Sequence, residues 1–187
     1  METKSEKIVL GGGCFWCTEA IFQRLKGVIS VESGYSGGKI ENPTSEQVYS
    51  GKTGHAEVIQ ITFDPTIISL GKILDVFWHL HNPTTLNQQG YDMGTEYRSI
   101  IFYMNDEQKR IAEKSKKDLE NSGYYKDKIV TEIVPFTNFY KAEEHHQNYY
   151  NNNNYGDGYC QVIIDPKIKK LLTSYFEDIK EEYKRQS

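Results

Sequence analysis

Apolar positions along the chain gather into short runs that switch between two spacings. Lys7–Leu10 reads as a short strand running into Gly11-Gly12-Gly13. From Cys14 the spacing turns helical, with Phe15, Ile21, Phe22 and Leu25 mainly on one side, until Gly27 ends it. Val28–Tyr35 and Val58–Phe63 alternate as strands, closed by Gly37-Gly38 and by Asp64-Pro65. Between them, residues 40–54 are rich in Pro, Asn, Ser, Thr and Gly, which predicts a surface loop with at most one helical turn around Thr44–Ser50. Ser69 predicts an N-cap for a helix carrying Leu70, Ile73, Leu74, Phe77 and Trp78. A long loop over 82–96 follows, poor in aliphatic residues, and loops of that length tend to carry function.

Further on, the pattern predicts a strand over Tyr97–Tyr103, a charged amphipathic helix over Asp106–Asn121 and a strand over Ile129–Val134. A short polar helix near Glu143–Tyr150 leads into an Asn-rich and Gly-rich loop over 151–158. Cys160–Ile164 reads as a final strand. Pro166 opens a last helix over 166–187, with Ile168, Leu171, Leu172, Tyr175, Phe176 and Ile179 at helical spacing. Strands and helices alternate with neither linker nor internal repeat. The expectation is one α/β domain over 1–187, with a parallel or mixed sheet, flanking helices and a polar tail at 1–6.

Charge and composition narrow the function classes. The 187 residues carry a net charge of −4 and a pI near 5.8, which argues against a nucleic-acid partner, since that would favour a basic stripe. No apolar run approaches the roughly 18–20 residues of a membrane span, and the first residues are too polar for a secretory signal. Three cysteines are too few, and odd in number, for a disulfide scaffold, so a reducing cytoplasm is expected.

Two of those cysteines define the candidate chemistry. Gly11-Gly12-Gly13-Cys14-Phe15-Trp16-Cys17 puts a thiol at the first turn of a helix, where unpaired N–H groups and the helix dipole favour anions. Cys14 is therefore expected to have a lowered pKa. Cys17, one turn on, lies within disulfide reach. Burial of both as inert thiols would leave the three glycines unexplained. A zinc set of Cys14, Cys17, Cys160 and His145 or His146 lacks a second close ligand pair. A dinucleotide loop fails because Trp16 stands where a third glycine belongs. A thioredoxin-like pair would also follow a strand, but Phe15 and Trp16 suggest instead an apolar pocket beside the nucleophile.

Gly13-Cys14-Phe15-Trp16-Cys17-x-Glu19 resembles the active-site signature of the A-type peptide-methionine sulfoxide reductases. The likeness continues through Ser33-Gly34-Tyr35-Ser36-Gly37-Gly38, Asn42-Pro43-Thr44 and Ser50-Gly51-x-Thr53-Gly54-His55-Ala56-Glu57. It resumes at Phe77-Trp78, Asp92-x-Gly94-Thr95-x-Tyr97-Arg98-Ser99 and Glu144-His145-His146-Gln147, spanning about residues 8–165 in order.

The resemblance implies a two-layer domain with a central mixed sheet, and reduction of the S epimer of methionine sulfoxide, free or in proteins. It implies no metal and no organic cofactor, and thioredoxin or a similar dithiol as reductant. Cys14 would attack the sulfur and leave as a sulfenic acid, while Phe15 and Trp16 flank the methyl group. Glu57 would be the acid, its pKa raised by burial. Tyr97 would donate to the sulfoxide oxygen, and Asp92 would orient the substrate or Glu57. Where the family usually has a second oxygen-binding Tyr this chain has Ser45, and where many members carry Cys it has Tyr49. Positions 45 and 49 share a helix face, so Tyr49 is a candidate for the missing hydrogen bond. Cys17 is favoured as resolver on loop-closure grounds, with Cys160 the alternative. His55, His145 and His146 lie in matched motifs and read as structural. The runner-up reading is a thiol–disulfide oxidoreductase using Cys14 and Cys17; a third is a zinc-stabilised interaction module.

Overall fold

The computed structural model describes residues 4–153 and 156–185. Its centre is a six-stranded sheet. The strands are β1 (Glu6–Gly12), β2 (Val28–Ser36), β3 (Ala56–Phe63), β6 (Ser99–Tyr103), β7 (Glu132–Pro135) and β8 (Tyr140–Lys141), in the order β7-β6-β1-β3-β2-β8. A two-residue hairpin, β4 (Gln88–Gln89) with β5 (Asp92–Met93), stands apart from it. All pairings in the main sheet are antiparallel except β6 with β7. Those two are joined by the helix α4 (Asp106–Ser122), as a parallel crossover requires. The sheet is thus mixed, as expected, although antiparallel pairs dominate it.

Alternation along the central strands sorts two cores. Ile8 and Leu10 of β1, with Ile59, Ile61 and Phe63 of β3, face α1 (Phe15–Phe22) and α3 (Leu70–Leu80). Val9, Ala56, Val58, Ile100 and Phe102 face the other way, under Val134, Phe136 and Phe139. Seven of the eight residues of α1 are buried, as befits a helix apolar nearly all round. Ser69 caps α3 by accepting the N–H of Lys72 at 3.1 Å, as its position in the sequence predicts. The one helical turn expected near Thr44–Ser50 is α2 (Ser45–Tyr49), opened by a Thr44/Gln47 capping box. Among the described residues, no helix is long and apolar enough to cross a membrane.

The C-terminal third departs from expectation. The polar stretch after β8 is a single 3-10 turn, Glu144–His146, then α5 (Tyr149–Asn153). Asn151–Asn153, expected in a loop, thus close a helix, and Asn154 and Tyr155 lie outside the described residues. Cys160–Ile164 is a wide π-helical turn, not a strand. A strand would turn positions 160, 162 and 164 to one face, yet Cys160 and Ile164 are fully buried while Val162 is 68% exposed. Helical spacing wins because no sheet edge receives the segment. The expected last helix over 166–187 is broken: α6 (Asp165–Ser174) ends where Tyr175 leaves helical geometry. Ile179 then bridges to Leu25, and only α7 (Glu181–Lys184) follows.

Because Ile164 is core and Val162 is surface, Ile164→Ala should cost about 2–4 kcal/mol of unfolding free energy and Val162→Ala within about 0.5. Denaturant unfolding of the two variants checks this; equal losses would favour a strand.

Candidate active site

The turn from β1 into α1 carries the motif. Gly13 has φ of +94°, and a Cβ there would lie 2.6 Å from the Gln89 side chain, so only glycine lets the loop pass beneath the β4–β5 hairpin. Cys14 is the N-cap of α1. Its carbonyl accepts the N–H groups of Cys17 and Thr18 at 3.1 and 3.4 Å. Next to β1 in the sheet, β3 brings Glu57 to the same end.

Water is nearly excluded from this junction. Cys14 is 9% exposed and Glu57 1% exposed. Burial pushes the Glu57 carboxyl well above the usual carboxylate range. The Asp92 carboxylate adds to the shift, and a hydrogen bond from the Phe15 backbone only partly opposes it. The protonated form of Glu57 is favoured, and its Oε2 has no hydrogen-bond partner.

For Cys14 the structure overturns the expected lowered pKa. Burial holds its thiol well above the ordinary thiol range, aided by its hydrogen bond to Cys17 and by Glu57; the Trp16 backbone N–H opposes this without prevailing. The neighbouring Cys17 is instead pulled down to about 7, chiefly because it accepts that hydrogen bond. A helix start favours a thiolate, but removal from water costs more at this position.

Phe15 and Trp16 wall one side of the site. Phe15 is buried, its ring 5.6 Å from that of Tyr35 and 5.3 Å from that of His146. The Trp16 indole stacks on Tyr149 at 3.6 Å with a 5° interplanar angle, meets Tyr159 edge-on at 5.7 Å, and donates Nε1–H to His146 Nδ1 at 3.1 Å. Tyr159 also donates its hydroxyl to Asp92 Oδ2 at 2.7 Å and lies 3.9 Å from the Cys17 sulfur. Tyr97, in the 3-10 turn Thr95–Tyr97, has its phenol kept protonated by burial and by Glu57 and Cys14 nearby. The same groups, burial first, raise Tyr49, which is 44% exposed on α2. The Ser45 N–H donates to Glu143 Oε1 at 3.1 Å.

The site residues expected from the sequence thus gather around Cys14, and Cys160 belongs to the same buried cluster, near enough to Cys17 to feel its charge. Cys160 is fully buried behind the π-helical turn, and burial raises its thiol to about 11. All three cysteines are free. The cysteine–histidine zinc set does not assemble. Among the described residues, the potential ligand group is Glu143 with His145 and His146, and it contains no sulfur. His146 Nδ1 accepts from Trp16, so in the neutral ring Nε2 carries the proton, 3.4 Å from Glu143 Oε2. That tautomer has no free lone pair for a metal. His55 is structural, accepting Gly38 N–H and bonding the Ile40 carbonyl.

Tyr149, Tyr159 and the packing role of His146 were not foreseen from the sequence. Nothing in a run of tyrosines distinguishes those that cross more than 130 residues of chain to meet Trp16. The adjacency of Tyr159 to Cys160 was the one available signal.

Comparison with known proteins gives concordant results. The profile of the family described as "Peptide methionine sulfoxide reductase" matches residues 6–180. "Peptide methionine sulfoxide reductase MsrA" of Sulfolobus acidocaldarius is 53% identical over 171 residues, covering 91% of this chain and 95% of that protein. The reduced form of Mxr1 from Saccharomyces cerevisiae superposes with a TM-score of 0.78 at 34% identity, over 84% of this chain and 90% of that one. Mxr1 in complex with Trx2 superposes at 0.57, with 28% identity over 80% and 87% of the two chains.

Thiolate absorbance near 240 nm should rise with a midpoint at about pH 7 in the wild-type protein. In Cys17→Ser that step should vanish, leaving only ionisation well above the ordinary thiol range. A surviving step at pH 7 in the variant would assign the low pKa to another thiol.

Proposed function

Because the chain belongs to the peptide methionine sulfoxide reductase family, we propose a division of labour among its site residues in the reduction of methionine sulfoxide, free or in proteins, to methionine. The observation that carries the reading is a buried Cys14 thiol beside a buried Glu57 carboxyl, close enough that Glu57 raises the thiol's hold on its proton.

A sulfoxide is neutral, with an electrophilic sulfur and a basic oxygen. Cys14 supplies the nucleophile and Glu57 the proton. The Cys14 sulfur bonds to the substrate sulfur as the oxygen takes up the Glu57 proton, and the thiol proton of Cys14 passes to the Glu57 carboxylate so formed. The hydroxyl then passes from the substrate sulfur to the Cys14 sulfur as the bond between the two sulfurs breaks, releasing methionine and leaving a sulfenic acid. Phe15 and Trp16 hold the methyl group, and that orientation selects the S epimer. Tyr97, kept as a phenol, donates to the oxygen. Tyr49 adds a second donor from α2 in place of the small Ser45. Asp92 orients the substrate and shares in raising Glu57.

Cys17, already hydrogen-bonded to Cys14 and the more acidic thiol of the pair, attacks the sulfenic sulfur, giving a disulfide and water. A dithiol reductant then restores both thiols. The yeast relative's complex with Trx2 supports thioredoxin as that donor. Cys160 takes the resolving role only if its turn opens. Three free thiols suit a reducing compartment, the cytoplasm, and 1–187 acts as one catalytic unit.

Glu57→Gln should lower kcat about 10²–10⁴-fold while the protein stays folded. Cys14→Ser should abolish turnover of a methionine S-sulfoxide substrate. Tyr49→Phe should lower kcat/KM measurably; unchanged turnover would leave Glu57 and Tyr97 as the sole donors. Trapping the oxidised enzyme and mapping its disulfide should give Cys14–Cys17; a bond to Cys160 would overturn the resolver assignment.

A further inference from the structure

Glu19 belongs to the cysteine-bearing motif but has no part in the chemistry above. It lies on α1, five residues after Cys14, and is 2% exposed. Its carboxyl accepts the Ser33 hydroxyl of β2 at 2.9 Å, and also the backbone N–H groups of Asn148 and Tyr149. The chain there is bent: Asn148 has a φ of +52°, a left-handed conformation that needs support. The Gln147 carboxamide fastens the same turn to the Ser33 backbone on both sides and to the Ala142 carbonyl.

From this turn a strap runs back over the site. Tyr149 stacks on Trp16, and its hydroxyl donates to Asp157. Asp157 accepts the N–H groups of Tyr159 and Cys160, and Tyr159 reaches Asp92. One buried carboxyl thus stands at the root of contacts that end at the indole, at Asp92 and at the segment bearing Cys160. We propose that Glu19 is the clasp of this strap, a positioning residue whose carboxyl holds the Asn148–Tyr149 turn and so sets Tyr149 against the Trp16 wall of the methyl pocket. The proposal rests on the assigned reaction only for its kinetic consequence.

Among the described residues, no cation pairs with Glu19. From β2 it meets the Ser33 hydroxyl, and from the strap it meets backbone donors. His146 is engaged by Trp16 and Glu143, and the Arg24 guanidinium turns to the Ala20 carbonyl, to Asn151 and to the Tyr150 and Tyr183 rings. Burial therefore lifts the Glu19 carboxyl to about 7 against these hydrogen bonds. With the strap lifted, Glu19 is hydrated and returns to about 4.3. Closing the strap binds a proton between those limits. Closure is thus firmest below about pH 4.3, weakens as pH rises, and levels off above about 7.

The test is hydrogen exchange of residues 145–153, corrected for intrinsic rates, across pH 5–8, together with KM and kcat. It compares the wild type with Glu19→Ala and Glu19→Gln. Glu19→Ala should exchange faster at Asn148 and Tyr149 and raise KM several-fold more than it lowers kcat. Glu19→Gln keeps an acceptor oxygen without a charge. It should retain protection and KM and lose the pH dependence of exchange. Should the alanine variant fail to fold, the pH dependence of wild type against Glu19→Gln decides alone. Unchanged exchange in Glu19→Ala, or the same pH dependence in Glu19→Gln as in the wild type, overturns the proposal. Because exchange needs no turnover, an inactive enzyme with a working clasp is distinguishable from an active enzyme without one.

Discussion

Removal of water from the junction of β1, α1 and β3 is the constraint on which the rest of the site depends. It favours the protonated form of Glu57, because a carboxylate there would be stripped of hydration. It also holds Cys14 as a thiol until a partner arrives, against the pull of the helix start. The fold supplies that dryness from both layers. The large apolar cluster of α1, α3, β1 and β3 lies beneath, and Trp16, Tyr149 and Tyr159 cover the site from above.

Dryness has a structural consequence in how the thiols divide their proton. A hydrogen bond between two sulfurs one helical turn apart gives the pair one more acidic member, and the geometry makes it Cys17. Cys14 holds its proton the more tightly and Cys17 is the readier thiolate. That order suits a reaction in which proton donation to oxygen must accompany attack on sulfur. The mutual proximity that creates the split also makes closure of a Cys14–Cys17 disulfide local.

Trp16 joins these features to the rest of the chain. Its indole N–H fixes the His146 tautomer, its face carries Tyr149 and its edge meets Tyr159, so one side chain gathers residues 130 or more positions away. The same tautomer keeps the Glu143–His145–His146 group from offering the lone pair a metal would need. The aromatic residues around the indole are half-buried and hydrogen-bonded at their polar ends, which is how tyrosine closes a pocket without stranding its hydroxyl.

Much of the sheet, α1, α3 and the cysteine chemistry were legible from the chain, because local rules decide them. Alternation writes a strand, Ser69 writes a cap, and Gly11-Gly12-Gly13-Cys14 writes a sharp entry into a helix. Glu57, Asp92 and Tyr97 were legible only through their surrounding motifs, since a single carboxylate or phenol carries no local signature. The Cys160–Ile164 turn was misread because β-branched residues favour extended chain, a weak preference that the burial of positions 160 and 164 overrides. The Cys14 pKa was misread for a related reason. A helix start is a local fact visible in sequence, whereas desolvation is a sum over every group packed around the sulfur. By itself, then, the sequence determined the family and the residues proposed to hold the chemistry. The tertiary structure alone decided their protonation, the partner of each thiol and the aromatic cover over Trp16, because all three depend on the packing of distant segments.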